Sequence, residues 1–178
     1  MQGKTTAQLR GSWHNFSKYR PLIRELVTRD LKVKYRRSFL GYVWSILNPL
    51  LMMLLQTLVF SYMFRFQIEN FPLYLICGNT LFNFFNESTN MGMGSVLGNS
   101  SLIKKVYVPK FIFPISRVVS SFVNLLFSLA AIILVMLITR SPFHLTILLV
   151  WAPLVLLFLF TCGIALLLSA LAVYFRDL

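Results

Sequence analysis

Asn79, Asn83, Asn86 and Asn90 recur at spacings of four, three and four residues. That interval sets four carboxamides on one face of a helix, with Glu87 beside them. Each amide both donates and accepts hydrogen bonds, so the row suits a ligand rich in hydroxyls. It suits equally the polar groups of a neighbouring helix, and both readings stand. Phe82 and Phe85 interleave with the row. Covalent chemistry has little support. Cys77 and Cys162 lie in apolar runs without a CxxC partner. His14 and His144 have no acidic or cysteine neighbours with which to hold a metal. Gly3-Lys4-Thr5-Thr6 has the ending of a phosphate-binding loop but neither its first glycine nor its flanking strand and helix, and reads as chance. No nucleophile–base pair is apparent, which disfavours a membrane-embedded enzyme.

The elements that must position these residues are long and apolar. Hydrophobic residues make up 57% of the 178-residue chain and charged residues 12%, a balance that a soluble domain cannot hide from water. Four apolar segments are read as membrane spans, at about 41–64, 71–93, 111–139 and 145–173. The first, at 24 residues, reaches ~36 Å as a helix, enough to cross a ~30 Å hydrocarbon core with some tilt. Pro49 is expected to bend it. The second carries the asparagine row and is polar enough for a hydropathy window to miss. Glu87 is the only acidic residue inside a span. A carboxylate at that depth costs about 2.5–3.5 kcal/mol on insertion scales, so it should face the bundle interior or a water-filled path. Gly94 and Gly98 form a GxxxG that would permit close helix approach. Thr161, Ala165, Ser169 and Ala172 make a small-residue face on the fourth span, and Ser121, Asn124 and Ser128 a polar stripe on the third.

Residues 1–15 read as a flexible tail, and 16–37 as an amphipathic helix in the membrane interface, followed by a transmembrane domain over 38–178. Tyr19, Leu22, Ile23, Leu26 and Val27 form its apolar stripe. Lys18, Arg20, Arg24, Arg29 and Lys32 populate the other face, where they can meet anionic headgroups. Pro21 suits its first turn. The helix is either a topology anchor or, further, a docking surface for a cytoplasmic partner.

The formal charge is +12, yet the basic residues are not spread as a nucleic-acid surface would be. Ten Lys or Arg precede the first span, four lie between Asn99 and Arg117, and Arg176 stands at the end. The opposite loops hold only Arg65 and Arg140. By the positive-inside rule both termini are cytoplasmic. The loop 94–110 is then also cytoplasmic, with a short helix capped by Asn99 or Ser100 and ending before Val108-Pro109. Arg117 is close enough to the third span's start to snorkel. Aromatic residues at the outer ends, among them Tyr62, Phe66 and Tyr74, suit an interfacial belt.

Three separated stretches resemble one known family. The first is Leu26-Val27-Thr28-Arg29-Asp30-Leu31-Lys32-Val33-Lys34-Tyr35-Arg36-Arg37, leading to Gly41-Tyr42-Val43-Trp44-Ser45-Ile46-Leu47-Asn48-Pro49. The second is Leu102-Ile103-Lys104-Lys105-Val106-Tyr107-Val108-Pro109-Lys110, and the third Tyr174-Phe175-Arg176-Asp177-Leu178. Together, from about residue 20 to 178, they resemble the polysaccharide-export permeases of the ABC-2 transporter class, which export O-antigen, capsule or teichoic acid chains. Members continue with a re-entrant hairpin and a further span, so the present sequence is expected to be a fragment or a natural truncation.

The resemblance implies an all-α, multi-pass protein of the bacterial cytoplasmic membrane, working as a homodimer on a lipid-linked glycan. It implies that a separate ABC ATPase subunit supplies ATP and Mg²⁺, with no cofactor bound by this chain. Docking is implied at the amphipathic helix (Tyr19, Arg24, Arg29, Lys32) and at Leu102, Ile103, Lys104, Lys105 and Tyr107. The candidate path is Asn79, Phe82, Asn83, Phe85, Asn86, Glu87 and Asn90. A permease for drugs or another lipid, and a non-transporting membrane scaffold, are the alternatives.

Overall fold

The computed structural model describes residues 19–34, 41–64, 70–106, 108–139 and 149–175. The tail 1–15, His14, His144, Arg36, Arg37, Arg65, Phe66, Tyr107, Arg140 and Arg176, all named above, lie outside the described residues. Among the described residues every regular element is helical. Helix α1 covers 19–34, with Pro21 in its first turn as the sequence predicts. It is followed by α2 (Gly41–Phe64), α3 (Phe71–Met93), α4 (Ser95–Gly98), α5 (Ser100–Lys105), α6 (Ile112–Ile138) and α7 (Trp151–Tyr174).

The long helices fall close to the four apolar segments. α6 and α7 are each long and apolar enough to cross a membrane, and only 22% of each apolar window is buried inside the chain. A soluble core helix would be mostly buried, so these faces require an apolar solvent. α2 offers a shorter apolar stretch, Ile46–Phe60, and α3 does not qualify by composition. The helical assignment of α2 runs unbroken through Pro49. Leu51, Met52, Leu54, Leu55, Leu58 and Val59 are exposed along α2, while Ile46, Leu50 and Met53 pack on Ile76, Ala131 and Val135.

α3 sits at the centre, packed against α2, α6 and α7. It starts at Asn70, whose left-handed φ of 52° is one that asparagine tolerates. Ile76, Thr80, Phe84, Ser88 and Gly92 are buried at intervals of four, and this is the face turned into the bundle. Phe84 meets Phe122 edge-on at 5.8 Å between centroids, and Phe122 meets Phe158 at 5.0 Å. Against α7 the approach is closest at Gly92: a Cβ there would lie 2.8 Å from the Cβ of Ala165. Thr161, Ala165, Ser169 and Ala172 are all buried, so the small-residue face of α7 is a packing face. Lipid gives no hydrophobic drive for helix association, and close van der Waals approach takes its place.

Two expectations are corrected here. Gly94 and Gly98 do not mediate a close approach, since a Cβ at either would meet nothing within 4 Å. Gly94 instead marks the break between α3 and α4, and the glycine that admits a neighbour is Gly92, on the buried face. Asn99 does stand at the start of α5, but it makes no capping hydrogen bond. Its amide nitrogen donates to the Ser95 carbonyl at 2.7 Å, and its carbonyl oxygen accepts from Arg29.

Candidate functional site

Most of the apolar stripe of α1 packs on α4, α5 and α6 of the same chain. Leu26 clusters with Val96 of α4 and with Ile112 and Phe113 of α6. Tyr19, Leu22 and Ile23 pack there too, with Leu102 and Ile103 of α5 and Val108. The apolar face of α1 is thus largely covered by protein, and its basic side chains Arg20, Arg24, Arg29 and Lys32 are exposed. Fully burying a side chain such as Leu26 or Phe113 contributes about 1.5–3 kcal/mol, enough to hold so short a helix in place.

Within α5 the residue types divide by contact. Leu102 and Ile103 turn into the α1 cluster, whereas Lys104 and Lys105 are exposed at the helix end. Two cations there complement the dipole of the last turn. Arg24 and Lys32 are exposed on α1. Arg24 borders an open groove with Arg20, Ile23, Val27 and Val119.

Below the apolar cluster lies a charged one, which the sequence reading missed. Asp30 has a side chain only 6% exposed, and its Oδ2 lies 3.0 Å from Arg117 Nη1. Arg29 Nη2 lies 3.3 Å from its Oδ1, and the Ser120 hydroxyl 3.5 Å from its Oδ2. Arg29 also donates to Asn99 Oδ1 through both terminal nitrogens, at 3.3 and 3.2 Å. Arg117 is thereby held by a nearly buried carboxylate of α1. Removing one partner of such a pair leaves an uncompensated charge.

Glu87, expected to face the bundle interior or a water-filled path, borders a polar cavity. It lies about 9 Å before the end of α3, at 1.5 Å per residue, and not deep in the span. Lys34 Nζ approaches its Oε1 at 2.6 Å, and Asn124 Nδ2 donates to the same oxygen at 3.3 Å. The Lys34 and Glu87 side chains are 45% and 33% exposed, so this pair is open to its surroundings. Exposed ion pairs contribute about 0–1 kcal/mol. Arg29, Lys34, Glu87, Asn99, Arg117 and Asn124 border a polar cavity of about 380 Å³.

The asparagine row is not drawn into the bundle. Asn83, Asn86 and Asn90 are exposed. Asn90 Nδ2 donates to the carbonyl and the Oδ1 of Asn86, both at 2.8 Å, a bond local to α3. Asn79 is the exception, donating to Gln56 of α2. Phe85 stacks on Phe160 of α7 at 5.9 Å, whereas Phe82 is exposed; both border an apolar groove of about 510 Å³ with Leu81 and Pro153.

The geometry gathers the named residues into a basic end around α1 and α5 and an outward polar strip on α3. The sequence pattern of the ABC-2 type transporter family matches residues 21–178. The chain is 36% identical over 164 residues to the O-antigen export system permease protein RfbA of Myxococcus xanthus, covering 90% of this chain and 62% of that relative. It is 32% identical over 156 residues to the protein of the same name in Klebsiella pneumoniae, covering 86% and 60%. It is 26% identical over 166 residues to the polysialic acid transport protein KpsM of Escherichia coli, covering 88% and 62%. The chain thus spans about 60% of the length of these relatives. From α1 through α7 it belongs to the ABC-2 type transporter family.

Proposed function

We propose that this chain is membrane-spanning permease sequence of an ABC exporter that moves a lipid-linked polysaccharide across the bacterial cytoplasmic membrane. The observation that carries the reading is that 36% identity to an O-antigen export permease extends over 90% of the chain, docking end and polar strip included. In this reading α2, α3, α6 and α7 all cross the membrane and both termini are cytoplasmic. The clustering of basic residues before α2 and between α4 and α6 supports that orientation. α3 is tolerated among the spans because its buried face is small or apolar and its exposed amides share one side.

Energy enters from a separate ATPase subunit. α5 is suited to receive it: Lys104 and Lys105 project outward while Leu102 and Ile103 fix the helix to α1. A push on α5 is then a push on α1. The polar strip Asn83, Asn86 and Asn90 serves the glycan, whose hydroxyls pair with amides, and a second copy of the chain closes the path opposite it. Phe82 and Phe85 supply apolar surface beside the strip.

Co-purification of the natural-length permease with its ATPase from native membranes tests the reading. The wild-type permease should retain the ATPase, and Lys104→Glu with Lys105→Glu should reduce the retained amount about tenfold, as loss of a charged docking contact does. A wild-type permease that brings down no ATPase would contradict it.

A further inference from the structure

We propose that Lys34 and Glu87 form a latch that pins the tip of α1 to α3 at rest and opens during the transport stroke. The inference rests on the exporter reading above. α1 is seated near Leu26 by an apolar cluster drawn from α4, α5, α6 and Val108, which includes no residue of α3. Next to that seat, Asp30 is held by Arg117, and Arg29 ties α1 to Asn99 at the start of α5. Lys34 stands eight residues beyond Leu26, about 12 Å along the helix, and there it meets Glu87 at 2.6 Å.

α1 is thus built as a lever. Its seat is dry and its charge pair at Asp30 is buried, whereas its tip is joined to α3 by a pair open to its surroundings. An exposed ion pair parts at little cost, and an apolar seat does not. When α5 is displaced, the joint that yields first is therefore the one at the tip. The polar cavity of about 380 Å³ beside the pair gives both side chains room to part. Glu87 directly follows Asn86 in the outward strip, so the latch reports motion of the docking end to the residues proposed to meet the glycan. Lys34 and Glu87 are positioning residues in this account, since neither is assigned to substrate.

The natural-length permease, reconstituted with its ATPase, tests the latch through glycan exported per ATP hydrolysed. Lys34→Glu and Glu87→Lys should each lower that ratio about tenfold while the ATPase stays bound, a typical coupling magnitude. The double exchange should restore most of it, because it re-forms the pair. A reducible bis-thiosulfonate bridge between Lys34→Cys and Glu87→Cys should stop export, and reductant should release it. Should the charge reversals fail to reach the membrane, Lys34→Gln and Glu87→Gln carry the same expectation. Wild-type coupling in the single variants, or a double exchange no better than the singles, overturns the latch and leaves the exporter reading intact. A wild-type permease that shows no ATPase-driven export overturns both.

Discussion

Around the seat of α1, polar side chains satisfy one another. Asp30 has Arg117 and Arg29, and Asn99 has Arg29 and the Ser95 carbonyl. Along α3, Asn83, Asn86 and Asn90 face outward, and the bond between Asn86 and Asn90 stays within the helix. A polar group facing hydrocarbon is costly, so an outward amide row on a membrane helix requires polar company from outside the chain. The seat is thus a joint whose polar groups are paired within the chain, whereas the strip leaves its amides exposed.

Substitutions should separate the two. The largest effect is expected at the seat. Asp30→Ala leaves Arg117 without its carboxylate and should destabilise the protein by about 3 kcal/mol. Thermal unfolding in detergent, with proteolysis of α1 as a local readout, would measure it. A smaller effect is expected where α3 meets α7. Gly92→Val puts methyl groups into the 2.8 Å gap at Ala165 and should cost about 1–3 kcal/mol, whereas Gly94→Ala should change stability by less than about 1 kcal/mol. Equal losses at both glycines would mean that the helices meet elsewhere. The smallest effect on stability is expected at the strip. Replacing Asn83, Asn86 and Asn90 by Ala should stay within about 0.5 kcal/mol per site, as surface changes do, yet impair export. A large fall in stability with normal export would assign the strip to helix packing.

Much of the scaffold was legible in the sequence, because apolar run length and the 3.6-residue period are local properties. The stripe Tyr19 to Val27, the ends of α2 and α3, and the small-residue face of α7 all follow from them. What escaped depends on partners remote in the chain. Asp30 looks, with Glu25, like one of two acids diluting a basic helix until Arg117, 87 positions later, is brought beside it. Asn99 has the residue type and position of a cap, but Arg29 takes its oxygen. GxxxG at Gly94 satisfied a spacing rule, while the close contact fell to Gly92, chosen by which face of α3 turns to α7. The asparagine spacing gave one shared face without saying whether that face looks inward or out. An acid such as Asp30 inside a basic amphipathic helix is the signal that could have been read, since burial beside a cation is what would retain it.

The most direct test of the central claim is to delete the gene in its native host and follow the lipid-linked glycan on each side of the cytoplasmic membrane. The account predicts that glycan accumulates on the cytoplasmic leaflet and vanishes from the cell surface. The natural-length permease should reverse this, and a Lys104→Glu, Lys105→Glu version should not. Unchanged surface glycan in the deleted strain would contradict it.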